Sequence, residues 1–419
     1  MLSMPLKSCI NFIIFILPIF LFAQVEEINP PDYIKTVNFG GDTEETQLPI
    51  ISYGDYVHLE FDALNGNEED YYYKIKHFNF DWTPSVLVQS EYMEGFDNQR
   101  IRNYENSFNT FQMFSHYRLT IPNKDTRRLK VSGNYMLYIY DNQGELIFTR
   151  KFMVYEDKVG VGVAVKRSRD IKVIESKQRV ELLVASNGMQ LNNPYQTVKA
   201  VIIQNNNLKS AIKNIKPQYT LGSDLVYKYD SETSFGGGNE YFYFENKDVR
   251  RASNGVQYIE LNDLYENLLF TNASRANQPY TYYPDINGNF LVNNIDAANN
   301  NVEADYVWVH FSLVGADHFK NKNIHVYGSF NNYAIDDSTL MTYNAERNVF
   351  TAALLLKQGF YNYKYVAVDS NNNVNEGLIS GNFWQTENSY KVLIYYRELG
   401  ARYDRIIGFG EGNSVNITN

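Results

Sequence analysis

The chain has 419 residues, a formal net charge of −10, 35 tyrosines and 26 phenylalanines against 3 tryptophans, and one cysteine. The acidic balance argues against nucleic acid as a partner, because neutralising phosphates needs a basic face. Cys9 precedes the first apolar run, so a chain processed after that run has no thiol for disulfides, nucleophilic chemistry or thiolate metal sites.

Lys7, the apolar run from Ile10 to Phe22 and the small residue Ala23 before Gln24 have the pattern of a cleaved secretory signal peptide over residues 1–23. The run is about 13 residues, well short of the roughly 20 that a membrane-spanning helix needs. About 395 mature residues exceed what one core organises, so two or three domains are expected. The aromatic weight favours strands. Irregular strand spacing and the charges Lys74, Lys76, Glu181 and Lys199 within strands argue against an outer-membrane barrel.

After an extended segment at Ile28-Asn29-Pro30-Pro31, Val57, Leu59 and Phe61 alternate with His58, Glu60 and Asp62, which predicts a strand with one apolar face. An aromatic strand follows from Tyr71 and breaks at Asp81-Trp82-Thr83-Pro84. Polar loops rich in aromatics lead to a further strand from His116. Tyr135 to Tyr140 and Leu146 to Val154 flank Asp141-Asn142-Gln143-Gly144 as a hairpin. Residues 24–157 are therefore expected to form one β-sandwich. Residues 158–303 form a second unit, with strands at Val159 to Val165, Arg179 to Val184 and Thr197 to Gln204, and with a short helix expected over Leu208 to Ile215. The polar run Asp296 to Asn301 has the composition of a linker or a long loop. Residues 304–419 form the third unit, from Tyr306-Val307-Trp308-Val309 to a last strand near Arg405 to Phe409. The expected class is all-β, with three consecutive sandwiches of immunoglobulin-like or E-set-like type.

The chemistry-bearing residues lack the partners and spacing of an active site. His77 and His116 could form a metal or acid/base pair, or could each order loop backbone. Asp81, Glu91 and Glu94 could serve as sugar-cleaving carboxylates, but Asp81 before Thr83-Pro84 also marks an Asx turn, with Trp82 as the plug of that corner. Gly236-Gly237-Gly238 lacks the Lys-Ser or Lys-Thr of a phosphate loop and feeds a strand, so a bend is expected there. Asp369, Asn371 and Asn373 begin a calcium-loop spacing, but Val374 and Ser380 stand where that loop needs glycine and glutamate. No catalytic, metal or cofactor-binding residues are assigned.

His77-Phe78-Asn79-Phe80-Asp81-Trp82-Thr83-Pro84-Ser85, Glu91-Tyr92-Met93-Glu94-Gly95-Phe96, Asn106-Ser107-Phe108-Asn109-Thr110 with His116-Tyr117, and Ser132-Gly133-Asn134-Tyr135 resemble the type IX secretion system plug protein family of Bacteroidetes. Phe235-Gly236-Gly237-Gly238-Asn239-Glu240-Tyr241 and Lys357-Gln358-Gly359-Phe360-Tyr361-Asn362-Tyr363 fit the same pattern. One departure is Phe78, where relatives often carry a cysteine. The resemblance implies a non-enzymatic periplasmic protein that occupies the periplasmic opening of the giant outer-membrane translocon barrel when no substrate fills it. It implies no cofactor and no obligate small-molecule ligand. His77, Asn79, Asp81, Trp82, Tyr92, Phe96, Asn109 and His116 are then candidates for the interface or for ordering its loops. The third unit is also similar to glycogen-binding carbohydrate modules through Val326 to Tyr333 and Gly359 to Val366. On that alternative the protein is a periplasmic or surface carbohydrate-binding module, with Tyr333 stacking a sugar.

Overall fold

Strict alternation builds the first layer. In Val57–Ala63, Val57, Leu59 and Phe61 point into a core while His58 and Glu60 face outward. The computed structural model describes residues 24–43, 47–316, 319, 321–415 and 417, so the signal-peptide expectation lies outside the described residues. Val57–Ala63 lies between Ile34–Gly40 and Ser115–Ile121, with Asn103–Asn106 at the far edge. A second sheet, ordered Ile50–Ser52, Leu146–Tyr155, Gly133–Tyr140, Tyr72–Phe78 and Gln99–Arg100, covers the other side of that core. Phe61, Tyr71, Tyr117, Tyr135, Phe148 and Phe152 fill the space between the two. The expected hairpin is present as Gly133–Tyr140 paired with Leu146–Tyr155.

Some strands carry apolar residues on both faces, and these locate the contacts between units. In Gly133–Tyr140, Tyr135, Leu137 and Ile139 enter the sandwich core, whereas Met136 and Tyr138 enter a different cluster. In Val198–Gln204, Val198, Ala200 and Ile202 enter the middle unit's core, whereas Val201 and Ile203 enter that same second cluster. Leu393, Tyr395 and Ile406 belong to it as well. The N-terminal and middle units therefore share a buried apolar layer, and a strand covered on both sides reads as an unbroken hydrophobic run.

The all-β, layered class holds, but the chain does not visit its units in simple succession. One sheet of the middle unit is ordered Ile212–Ile215, Val198–Gln204, Ser389–Tyr396 and Arg405–Asn413. Its last two strands come from the segment expected to close the third unit. Conversely, Phe242–Glu245 and Phe290–Val292 pair with Gly359–Val368, and Tyr265–Leu269 pairs with Tyr306–Val314, so residues 242–292 belong to the third sandwich. That sandwich is an insertion in the middle one, and the division at 303/304 runs through it. Turn signals mark where a strand stops and say nothing of which strand it pairs with. Residues 208–215 likewise differ from the expected helix: a single 3-10 turn at Leu208–Ser210 is followed by the strand Ile212–Ile215.

Two close approaches fix this route. The chain leaves the middle unit through Gly236-Gly237-Gly238, where a Cβ on Gly237 would lie 2.0 Å from the Phe383 carbonyl oxygen of the returning segment. The expected bend is therefore also a place where two backbones cross too closely for a side chain. On Arg405–Asn413, Gly408, Gly410 and Gly412 form one bare face, against which Val159, Val161 and Val163 pack.

Candidate functional site

The Tyr71 to Tyr117 stretch is organised by a corner. Tyr72–Phe78 ends and Asp81 Oδ1 accepts from the Thr83 N–H at 3.1 Å and the Thr83 hydroxyl at 2.6 Å, the expected Asx turn. Trp82 adopts a left-handed φ of 62° and drives its indole into the apolar layer between the N-terminal and middle units. The Lys151 ammonium sits 4.7 Å from its ring centroid. Phe78 is buried in the same layer and serves there as a packing residue. Asn79 holds the turn from inside, its N–H donating to the Thr83 carbonyl and its own carbonyl accepting from Asn134 Nδ2 at 2.9 Å.

His77 faces the opposite side of its strand. Its ring packs edge-on to Tyr135 and Tyr403 and parallel to Tyr92. Nε2 lies 3.2 Å from the Ser132 carbonyl, which requires a donor, while Nδ1 is buried without a partner. The imidazole is thus the neutral Nε2–H tautomer. Burial pushes its pKa down to about 4. Tyr92 belongs to the sandwich core and donates its hydroxyl to the Ile75 carbonyl at 3.0 Å.

His116 lies in the other sheet, so the two histidines have separate surroundings and form no common site. Its Nδ1 is 2.6 Å from Asp62 Oδ1, and Asp62 Oδ2 accepts from both Tyr306 OH and Lys357 Nζ at 2.6 Å. Asp62 and His116 belong to the N-terminal unit, Tyr306 and Lys357 to the inserted one. Burial opposes every charge here. For Asp62 the Lys357 ammonium and His116 outweigh it and hold the carboxyl below its usual range. For His116 the Asp62 and Glu60 carboxylates outweigh it and raise the imidazole. For Lys357 burial prevails and lowers the ammonium. A buried, hydrogen-bonded group of this kind fixes relative orientation, since losing one member strands the others in a dry junction.

Besides the turn-forming Asp81, two candidates are open to solvent. Phe96 is 68% exposed, on a loop held by its N–H to the Asp125 carbonyl. Asn109, with a left-handed φ of 57°, turns an exposed loop whose apolar side chains Phe108, Phe111 and Met113 also face solvent, Phe108 and Met113 at 69%. Sequence reasoning missed Phe111 and Met113 as a projecting group, although Phe111-Gln112-Met113 in a polar loop signalled it. The loop is tethered despite its exposure. Asp305 of the inserted unit accepts from the N–H groups of Phe111 and Gln112 at 2.7 and 3.2 Å, and the Phe108 N–H reaches the Val302 carbonyl.

Tyr333 does not present a sugar platform. It is 4% exposed, its hydroxyl donates to the Asn205 carbonyl at 2.9 Å, and its ring packs on Tyr327. The reason is its place at the junction with the middle unit, which the third unit's own sequence pattern does not reveal. Asp369 caps its own turn by accepting from the N–H groups of Asn371 and Asn373. Among the described residues no group of three metal-ligating side chains comes together.

A family model described as the type 9 secretion system plug protein first domain matches residues 34–156. That span contains the Trp82 corner, the histidines and the exposed loop. The fold is similar to the crystal structure of a hypothetical protein from Parabacteroides merdae, with a TM-score of 0.89 and 32% identity over 93% of this chain and 100% of that one. No curated protein matches. The plug-domain match on the first sandwich, with a relative that keeps the whole three-unit arrangement, makes this chain a member of the type IX secretion system plug protein family.

Proposed function

We infer that the protein is a non-enzymatic periplasmic plug that seals the periplasmic opening of the giant outer-membrane translocon barrel of the type IX secretion system while no substrate is engaged. The observation that carries this reading is the clamping of three sandwiches into one block. The N-terminal unit is joined to the middle one by an apolar layer around Trp82 and Leu393, and to the inserted one by the Asp62 and Lys357 pair. A body that fills a wide opening must keep its outline under load, and rigid junctions supply that. It must also leave when a substrate arrives, so its seat has to be reversible and dominated by a few anchors. Phe108, Phe111 and Met113 suit that role, because the loop is ordered before it binds and the entropy cost of seating is reduced. Purification of the tagged translocon from resting cells is expected to recover this chain. Phe108→Glu combined with Met113→Glu is expected to reduce that recovery about tenfold or more while leaving thermal unfolding unchanged. Absence of the wild-type chain from the complex under mild detergent would overturn the reading.

A further inference from the structure

A cavity of about 550 Å³ lies between the first strand of the N-terminal unit and the outward face of the inserted sandwich. Its size falls in the range of small-ligand sites, which favour junctions between units and combine apolar walls with a few polar groups. Ile34, Phe290, Phe330 and Leu355 supply apolar wall, and Trp308, 39% exposed, lines it as well.

The distinguishing group is Arg150. It lines the cavity, is only 7% exposed, and donates Nη1 to the Thr149 carbonyl at 2.8 Å. Among the described residues no carboxylate stands within ion-pair distance of it. Burial lowers its pKa, and Glu27 is the carboxylate that acts on it from further away. Both oxygens of Glu27 are already engaged, Oε1 by the Lys151 N–H at 2.6 Å and Oε2 by Asn332 Nδ2 at 2.9 Å. Three carboxylates stand on the cavity wall: Asp32, which pairs with Lys35 at 3.7 Å, Asp336, which accepts from Asn29 Nδ2 and the Ser338 N–H, and Asp337. The nearby Lys209 ammonium adds positive charge and donates to the Tyr333 carbonyl. A buried guanidinium without an ion partner is costly, and an incoming anion that reaches it offsets that cost.

We propose that this cavity binds a ligand with a carboxylate and an apolar body, the carboxylate meeting Arg150 and the body lying against Trp308 and Leu355. Such a ligand bridges the N-terminal and inserted units. The carboxylate belongs either to a free small acid or to the C-terminus of a polypeptide, which present the same chemistry.

Isothermal titration of the full mature chain tests this with hexanoate against hexanamide, and with acetyl-Ala-Ala-Leu as free acid against its C-terminal amide. The acid of at least one pair is expected to bind saturably and about tenfold or more tighter than its amide, since a charge-assisted contact is lost in the amide. Binding of the peptide acid assigns the carboxylate to a chain terminus, and binding of hexanoate alone assigns it to a small acid. Arg150→Gln should bring the acid down to the level of the amide. Trp308→Ala, at a half-exposed position, should weaken acid and amide together. Equal affinity for acid and amide, or no saturable heat with any of the four probes, would overturn the proposal, and neither result depends on a variant that has to fold.

Discussion

His77 shows what burial does to a side chain that first suggests chemistry. Enclosed by Tyr92, Tyr135 and Tyr403 and pushed down to about 4, it stays neutral in the folded chain at pH values where an unfolded histidine, near 6.5, takes up a proton. The unfolded state therefore binds more protons between those two values. Stability is complete above about pH 6.5 and falls as the pH drops toward 4, by up to about 3 kcal/mol from this residue. His116 has the opposite sign, because its raised pKa gives stability below 6.5 that is lost as the pH rises through the folded value. Urea unfolding of the wild type and of His77→Gln across pH 4 to 6.5 separates them. The variant is expected to lose most of the acid-side slope; an unchanged slope would assign it to the carboxylates instead.

At the scale of single elements, the strand Arg405–Asn413 works by what it lacks. Its three alternate glycines let the edge of the middle unit's second sheet approach Gly160–Arg167 until a Cβ on Gly410 would lie 2.5 Å from the Val161 carbonyl oxygen. Gly410→Val is expected to cost about 3 kcal/mol, with no change at the neighbouring outward position in Glu411→Ala, as measured by equilibrium denaturation. The bare face was legible in the sequence as glycine at every second position, but only the partner strand gives it meaning. Other elements divide the same way. The Asx turn at Asp81 and the hairpin around Asn142 are set by residues within a few positions, and they form where local chemistry places them. Trp82 and Tyr333 are buried with partners distant in sequence, Lys151 for the one and Asn205 for the other, so their aromatic character was legible and their surroundings were not. The exposed Phe108 loop depends similarly on Asp305, which nothing near the loop announces.

The whole molecule is joined by non-local pairing. Because Ser389–Tyr396 pairs along the full length of Val198–Gln204, the middle core needs a segment synthesised after the inserted sandwich. A chain lacking residues 389–413 is expected to lose the middle unit, seen as protease cleavage within residues 158–236, while a middle unit complete by residue 303 would resist cleavage. The class and the number of layered units were open to sequence reasoning, since alternation and turn residues are local properties. The nesting of one unit in another was not, since strands of both units carry the same alternation.

That nesting also orders the protein's manufacture. A chain that emerges from its N-terminus presents Val198–Gln204 long before its neighbour Ser389–Tyr396 exists, and the uncovered strand edge is a ready template for pairing with other chains. Completion has to wait for the last strands, so a stalled or clipped product keeps an open edge while its first sandwich has every strand it needs. Loss of Ser389–Tyr396 alone therefore leaves the most adhesive remainder, a folded first sandwich carrying an open strand edge.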